Sequence, residues 1–394
     1  MADPPIKRPV ISFLFSDTGG GHRSAAEAII EALYLEYGDQ LRTEMVDIFK
    51  DYAPRPLNYL PDLYPKMVRT PRAWGLGYHL SDGQGRSRMI TASAWPYVER
   101  SIRRLLARHP SDLIVSVHPL ANAPVLRALG KYHPPFITVV TDLVSVHALW
   151  FHRRVNLCVV PTEAAQKRAL QCGLHPAQIR VVGLPVADRF CQPPGDKTSL
   201  REKLLWPQDR PMILLVGGGD GMGPIERTAV AIDQAGLRAG LAVIAGRNQR
   251  LKRRLESRSW SIPVHVYGFV HDMPDFMAAA DILVTKAGPG TITEAMNAGL
   301  PIILYSKLPG QEDGNVAFVV SEGAGIWAPT PERIIFALRS WLEQPDQLAR
   351  AAKNSHNLAN PRAARQIASI LVERLGIAQS GLSDLQANPN LSSS

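Results

Sequence analysis

Three glycines run into a histidine and an arginine in SDTGGGHRS, residues 16–24, between a short apolar run and a stretch rich in Ala, Ile and Leu. Two chemistries fit this loop. Glycines let main-chain N–H groups close on a phosphate, and a histidine near its unperturbed pKa takes a proton at neutral pH. The loop has no Lys-Ser/Thr at P-loop spacing, so it is not a cradle for nucleoside triphosphates.

A second glycine cluster, LLVGGGDGMG (214–223), is a buried strand running into backbone that an anion can approach. Alone it says little, because many strand ends in α/β proteins carry glycines. Further downstream, TKAGPGTITEAMNAGLP (285–301) leaves another strand, turns through Gly288, Pro289 and Gly290, and is expected to start a helix at Thr291. Free N–H groups there suit a diphosphate. Thr291 and Glu294 match a capping box; alternatively, Glu294 is a carboxylate that accepts both ribose hydroxyls of a nucleotide. Gly299 reads as the C-cap. AGRNQ (245–249) and YGFVHDM (267–273) follow two more strands, where open α/β sheets bind ligands. In LPGQEDGN (308–315), Gln311, Glu312 and Asn315 suit several sugar hydroxyls, or are solvated loop polarity. Together these strand ends outline a nucleotide-sugar pocket. No Asp-x-Asp occurs to hold Mg²⁺ on a diphosphate, so no metal or other cofactor is expected. Helix ends, hydroxyls and Lys286 or Arg247 would meet that charge instead.

Positioning these loops takes an α/β frame. Short β-branched runs at 9–15, 112–117, 136–141 and 156–161 alternate with amphipathic stretches, and the pattern resumes at 212–218, 241–246, 263–268, 281–285 and 300–305. A chain of 394 residues exceeds one ordinary core. Two Rossmann-like domains across a cleft are therefore expected: 1–190 for the acceptor and the membrane, a linker at 191–205, and 206–376 for the nucleotide sugar. The last helical pattern, 360–376, suits packing on a sheet face, with a return to the first domain as an option. A polar, aperiodic tail at 377–394 is expected to be disordered.

Lys and Arg outnumber Asp and Glu by 44 to 35. That excess fits nucleic acid, an anionic membrane or a phosphorylated substrate. The basic residues are dispersed and no motif supports nucleic acid. Three cysteines form neither a CxxC pair nor an even set, which suits a reducing compartment. There is no signal-peptide core, and nothing approaches the roughly 18 apolar residues of a spanning helix. A cytoplasmic protein, peripheral on the inner face of the cell membrane, is expected.

One stretch breaks the α/β rhythm. Residues 53–88, an insertion bounded near 90, mix five prolines and six Lys or Arg with Tyr59, Tyr64, Trp74 and Tyr78. Aromatics among cations suit a headgroup layer; the alternative is a surface insertion whose aromatics fold back onto the domain. A basic amphipathic helix is expected over 95–109.

SDTGGGHRSAAEAI, SVHPL, VVTDLVSVHALWFH, GGGDGMG, KAGPGTITEA and PGQEDGN, in that order, resemble the monogalactosyldiacylglycerol synthases. That family is shared with bacterial processive diacylglycerol glucosyltransferases and, more distantly, with the peptidoglycan enzyme that adds N-acetylglucosamine to lipid I. The likeness covers roughly residues 9–375 and implies a GT-B fold. It also implies inverting transfer of a hexose, galactose favoured, from a UDP-hexose to the sn-3 hydroxyl of diacylglycerol. Carried over, the donor side comprises Gly218, Gly219, Gly246, Arg247, Phe269, Gly288, Pro289, Gly290, Thr291, Glu294, Gln311, Glu312 and Asn315. The 53–88 insertion falls where the plant-type enzymes carry a membrane-inserting segment, so Tyr64, Trp74 and Tyr78 join the acceptor and membrane side. Asp220 and Ala148 depart from the family's usual Glu and Pro, which leaves sugar and acceptor specificity open.

Within that frame the first loop faces the acceptor. Gly20 and Gly21 allow close approach, and His22 is the general base that inverting transfer needs. Its plain alternative is local hydrogen bonding at a helix start. Asp142 is the second candidate, as base or as orienter of one, and equally a turn residue. His118 and His147 either line the acceptor pocket or are satisfied structurally, and Asp17 either makes the turn or holds His22. Competing readings are a processive UDP-glucose enzyme, a UDP-sugar 2-epimerase, which needs no lipid insertion, and a non-enzymatic nucleotide or lipid binder.

Overall fold

In a computed structural model, which describes residues 8–18, 20–68 and 70–377, the β-branched runs become two parallel six-stranded sheets. The first holds β1 (Val10–Phe15), β2 (Arg42–Asp47), β3 (Leu113–Ser116), β4 (Phe136–Val139), β5 (Leu157–Val160) and β6 (Ile179–Val181), ordered β2-β1-β3-β4-β5-β6. The second holds β7 (Met212–Val216), β8 (Gly240–Ile244), β9 (Val264–Tyr267), β10 (Ile282–Lys286), β11 (Ile302–Ser306) and β12 (Gly325–Trp327), ordered β12-β11-β10-β7-β8-β9. Ile11 lies opposite both Thr43 and Leu113, and Leu214 opposite both Leu283 and Ala242, while the β10–β11 register shifts between Thr285 and Lys286. Helices cover both faces, so central strands such as Met212–Val216 are buried throughout and read as unbroken apolar runs.

Strand order reverses between β1 and β3 in the first sheet and between β7 and β10 in the second. Ligands bind outside the carboxyl ends of strands at such points. The two glycine-rich loops leave β1 and β7, so each sits at the switch point of its own domain.

Helix α1 (Gly21–Tyr37) follows β1 and buries Ala25, Ala26, Ile29, Ala32 and Leu33 on one face. The last helix, Ala363–Arg374, lies against it, and Ile367, Ala368 and Leu371 complete the first domain's core. Arg365 ties the three segments there together, pairing with Glu36 and with Asp188 of the crossing strand of chain. The stretch 191–205, expected as a linker, contains the helix Lys197–Lys203. Its buried Arg201 donates to Asp281 and to the Ala279 carbonyl, so it is fastened to the second domain. The expected tail at 378–394 lies outside the described residues.

The insertion is helical: α2 (Leu60–Met67), α3 (Pro71–Ser81) and α4 (Gln84–Arg108). The helix expected over 95–109 thus starts at Gln84 and carries Pro96 inside it. No described helix is long and apolar enough to cross a membrane.

Candidate active site

A cleft of about 550 Å³ separates the domains, with the crossing segment Leu184–Phe190 at its back. On the second domain, Gly218 takes φ +75° and Gly246 φ +59°. A Cβ on Gly246 would sit 2.3 Å from the Gly219 carbonyl oxygen. The Arg247 N–H donates to that same oxygen at 2.8 Å. The two turns therefore lock back to back, and a side chain would force them apart. Arg247 stacks over the Phe269 ring at 4.7 Å and pairs with Asp220 at 3.1 Å. Phe269, 45% exposed at the rim, offers an open aromatic face.

Beyond β10 the helix Pro289–Asn297 starts two residues earlier than the sequence suggests, with Gly288 as N-cap and no side-chain cap. Thr291 is its third residue and Glu294 its sixth, so the capping box is not formed. Gly290 and Thr291 line the cleft at the helix start, where N–H groups lack intrahelical partners. Glu294 lines it too. Burial pushes its carboxyl up to about 7, with Arg189 of the crossing segment pulling the other way.

The three residues of LPGQEDGN sit behind this wall. Glu312 is buried, accepts from the Leu308 N–H at 2.7 Å and faces Lys286 at 3.5 Å. Asn315 donates to the Ala287 carbonyl at 2.9 Å and props the Gly288 turn from beneath. Gln311 crosses to the first domain and donates to Asp142 at 3.2 Å, while its own Oε1 is buried without a partner. None of the three is solvated loop polarity.

Across the cleft, Gly20 (φ +78°) and Gly21 line the edge, and neither has an atom within 4 Å of where a Cβ would be. His22 Nδ1 lies 2.9 Å from the Thr141 hydroxyl, with its ring 4.6 Å from that of His118 and 5.9 Å from Trp150. Desolvation lowers its pKa to about 4, partly offset by the Val117 backbone, so the imidazole is neutral at pH 7. Asp17 does not hold it. That carboxylate forms a bidentate pair with Arg23.

Asp142 accepts from Trp150 Nε1 at 2.6 Å and from Gln311. Burial raises its pKa to about 6 against those two bonds. His118 is buried beside His22. Its Nδ1 accepts from the Leu120 N–H at 3.3 Å, so Nε2 carries the proton and donates to Thr18. His147 likewise caps the turn after it through the Leu149 N–H, and reaches Ser81 of α3. It does not line the cleft.

Tyr64, Trp74 and Tyr78, expected on the membrane side, turn inward. Tyr64 packs edge-on to Trp74 at 5.4 Å, and its phenol is pushed up by burial with Glu312 and Asp142 nearby. Tyr78 donates to the Ser145 carbonyl at 3.1 Å. The amphipathic geometry of α3 decides this: its outward residues are Leu76 and Leu80, 62% and 61% exposed. Leu63 and Met67 of α2 and Met89 of α4 extend the exposed apolar set.

Sequence reading missed Thr141, Trp150 and Arg189. Thr141 and Trp150 meet His22 across more than 100 residues of chain, and Arg189 lies just before the expected linker in a stretch with no motif of its own. A lone tryptophan inside ALWFH was the nearest available signal. Among the described residues no three His, Cys, Asp or Glu side chains group as metal ligands do.

Residues 22–186 match the family model for monogalactosyldiacylglycerol (MGDG) synthase, and residues 212–367 match the glycosyltransferase family 28 C-terminal domain. Probable monogalactosyldiacylglycerol synthase 2, chloroplastic, of Oryza sativa subsp. indica is 41% identical over 365 residues, 90% of this chain and 78% of the relative. Monogalactosyldiacylglycerol synthase 1, chloroplastic, of Arabidopsis thaliana is 40% identical over 378 residues, 93% and 70% of the two chains. Two solved structures share the fold at low identity. MnaA of S. aureus in its UDP co-structure has a TM-score of 0.63 at 14% identity, covering 94% of this chain and 98% of that one. MurG of Acinetobacter baumannii has a TM-score of 0.58 at 16%, covering 93% and 100%. With two parallel sheets, a cleft between their switch points and relatives this similar over nearly its whole length, the chain belongs to the monogalactosyldiacylglycerol synthase family of glycosyltransferases, with a GT-B fold.

Proposed function

We propose that the protein moves galactose from UDP-galactose to the sn-3 hydroxyl of 1,2-diacylglycerol with inversion, giving a β-glycoside. The observation that carries this reading is that Gly20, Gly21 and Thr141 face the Gly218, Gly246 and Gly290 backbone across the cleft, with His22 directly behind them on the Thr141 hydroxyl. His22 takes the acceptor proton as the hydroxyl oxygen bonds to the anomeric carbon. The bond from that carbon to the diphosphate oxygen breaks on the opposite face, and UDP leaves with the electron pair. Charge on the leaving diphosphate is met by the start of Pro289–Asn297, by Lys286 and by Arg247, so chelator should leave turnover intact. Glu294 accepts ribose hydroxyls, and Phe269 stacks on the base. One fold neighbour was solved with UDP, which supports a uridine nucleotide in this cleft.

Leu63, Met67, Leu76, Leu80 and Met89 form the face that meets an anionic membrane, an assignment supported by their exposure. The cytoplasmic face of a cell membrane is part of the same proposal; the plant relatives are named chloroplastic.

The test is product analysis with purified protein, diacylglycerol in mixed anionic liposomes, and UDP-galactose or UDP-glucose in separate reactions. A monogalactosyl lipid supports the proposal. A glucosyl product moves the protein to the glucosyltransferases, and no glycolipid with UDP still bound overturns the acceptor assignment.

A further inference from the structure

The loop carrying Gln311 and Glu312 belongs to the second domain, yet much of what holds it comes from the insertion of the first. Gly75, buried in the middle of α3, lies directly on Pro309: a Cβ there would stand 2.8 Å from the Pro309 Cβ. One turn on, the Tyr78 ring covers Gly310, whose φ is +83°. A Cβ on Gly310 would come within 2.5 Å of that ring. The Tyr78 hydroxyl bonds the Ser145 carbonyl, and the Ser145 hydroxyl in turn accepts from the Gly314 N–H at 2.8 Å. The helix itself is fixed to the first domain at its far end. Asp82 accepts from the Ala148 N–H and makes a two-point contact with Arg168.

The loop so gripped is short and internally braced. Leu308 N–H donates to Glu312, Gly310 N–H donates to Asp313, and Gln311 reaches Asp142. Moving Pro309 and Gly310 therefore moves the Glu312 carboxylate and the Gln311 amide with them.

We propose that α3 is a positioning element of the donor site: Gly75 and Tyr78 of the first domain set the 308–314 loop so that Gln311 and Glu312, behind the Lys286–Gly288 wall, support the side of the cleft that meets the transferred sugar. The claim rests on the nucleotide-sugar reading above and adds to it that the insertion serves the donor side. Neither Gly75 nor Tyr78 touches substrate; both act through the loop.

The test compares Gly75→Ala and Tyr78→Ala with Gly77→Ala, whose Cβ would meet nothing within 4 Å on the same helix. Alanine for glycine favours a helix interior, so a loss in Gly75→Ala but not Gly77→Ala comes from the contact with Pro309 and not from a weaker helix. Two readouts are taken without acceptor lipid: UDP and UDP-galactose affinity by calorimetry, and amide hydrogen exchange across 308–314.

The expected result is UDP-galactose binding weakened about tenfold in Gly75→Ala and Tyr78→Ala, as for the loss of one charge-assisted hydrogen bond. UDP binding should stay unchanged, exchange in the loop should be faster, and Gly77→Ala should behave as wild type. Unchanged exchange in both variants overturns the proposal, and so does faster exchange with full UDP-galactose affinity. A wild-type protein that binds UDP-galactose no differently from UDP, and is indifferent to Gln311→Ala, marks failure of the sugar reading instead; exchange then still decides whether α3 holds the loop.

Discussion

Two glycine-rich loops face each other across the cleft, and their glycines are there for different reasons. Around Gly218 and Gly246 the backbone is packed against itself, and a Cβ on Gly246 or Gly221 would lie 2.3 or 2.1 Å from a carbonyl oxygen. Around Gly20 and Gly21 a Cβ would meet nothing within 4 Å. Gly246 and Gly221 are demanded by the protein's own interior. Of the acceptor pair, Gly20 is demanded by its left-handed backbone, and both leave open room for something that approaches from outside. The neighbours differ in the same sense. The donor loops lead to free N–H groups and cations, whereas the acceptor loop leads to a desolvated, uncharged histidine.

The largest effect that would break this contrast lies at His22. His22→Ala should lose about 10²- to 10⁴-fold in turnover while UDP affinity, measured by titration, is kept. Lost UDP affinity would move His22 to the donor side. The pH profile sharpens the assignment. A base buried in its neutral form with pKa about 4 puts the acid limb of kcat near 4, whereas a limb near 6 assigns the proton to Asp142. The sign for stability is that of a depressed histidine: its contribution is full above 6.5 and is lost as pH falls toward 4.

Next comes the pair of glycines themselves. Gly246→Ala should cost roughly 3 kcal/mol or more in chemical unfolding, through backbone collision added to a left-handed φ, and should abolish UDP binding. Gly20→Ala carries only the left-handed penalty, about 1–2 kcal/mol, and should leave UDP binding intact. Equal losses in the two would erase the distinction.

Leu76→Asp with Leu80→Asp should weaken sedimentation with anionic vesicles by about tenfold or more, since two leucines no longer leave water. Unchanged vesicle binding would remove α3 from the membrane face. The smallest effect is at Glu294. If its ionised form binds ribose, UDP affinity should rise by up to about tenfold from pH 6 to pH 8 as the carboxyl titrates near 7, and Glu294→Gln should be flat.

Much of the frame was legible. Nine of the strands coincide with apolar runs because a parallel strand covered on both faces must be apolar along its length. The strands without such a signal, β2, β6 and β12, are all sheet edges. β2 reads RTEMVD, and edges tolerate short or charged segments because one side is unpaired. The glycine-rich turns were legible because glycine and proline chemistry is local, but the helix after Gly288 starts at Pro289 without the expected capping box. For the aromatic insertion the sequence left two directions open, toward a headgroup layer or folded back onto the domain. Composition shows that aromatics and cations are mixed, but which face of α3 looks inward depends on Pro309 and Gly310, more than 200 residues away.

The sequence by itself determined two α/β domains, the switch-point loops and the residue types that could hold a nucleotide sugar and take a proton, since each follows from periodicity or from chemistry within a few residues. Tertiary structure alone decided that Thr141, not Asp17, meets His22, and that Asp142 is shared between Trp150 and Gln311. It also decided that Glu294 is buried enough to titrate near neutrality. Desolvation and hydrogen-bond partnership are set by what the rest of the chain brings close, and no short stretch of sequence carries that information.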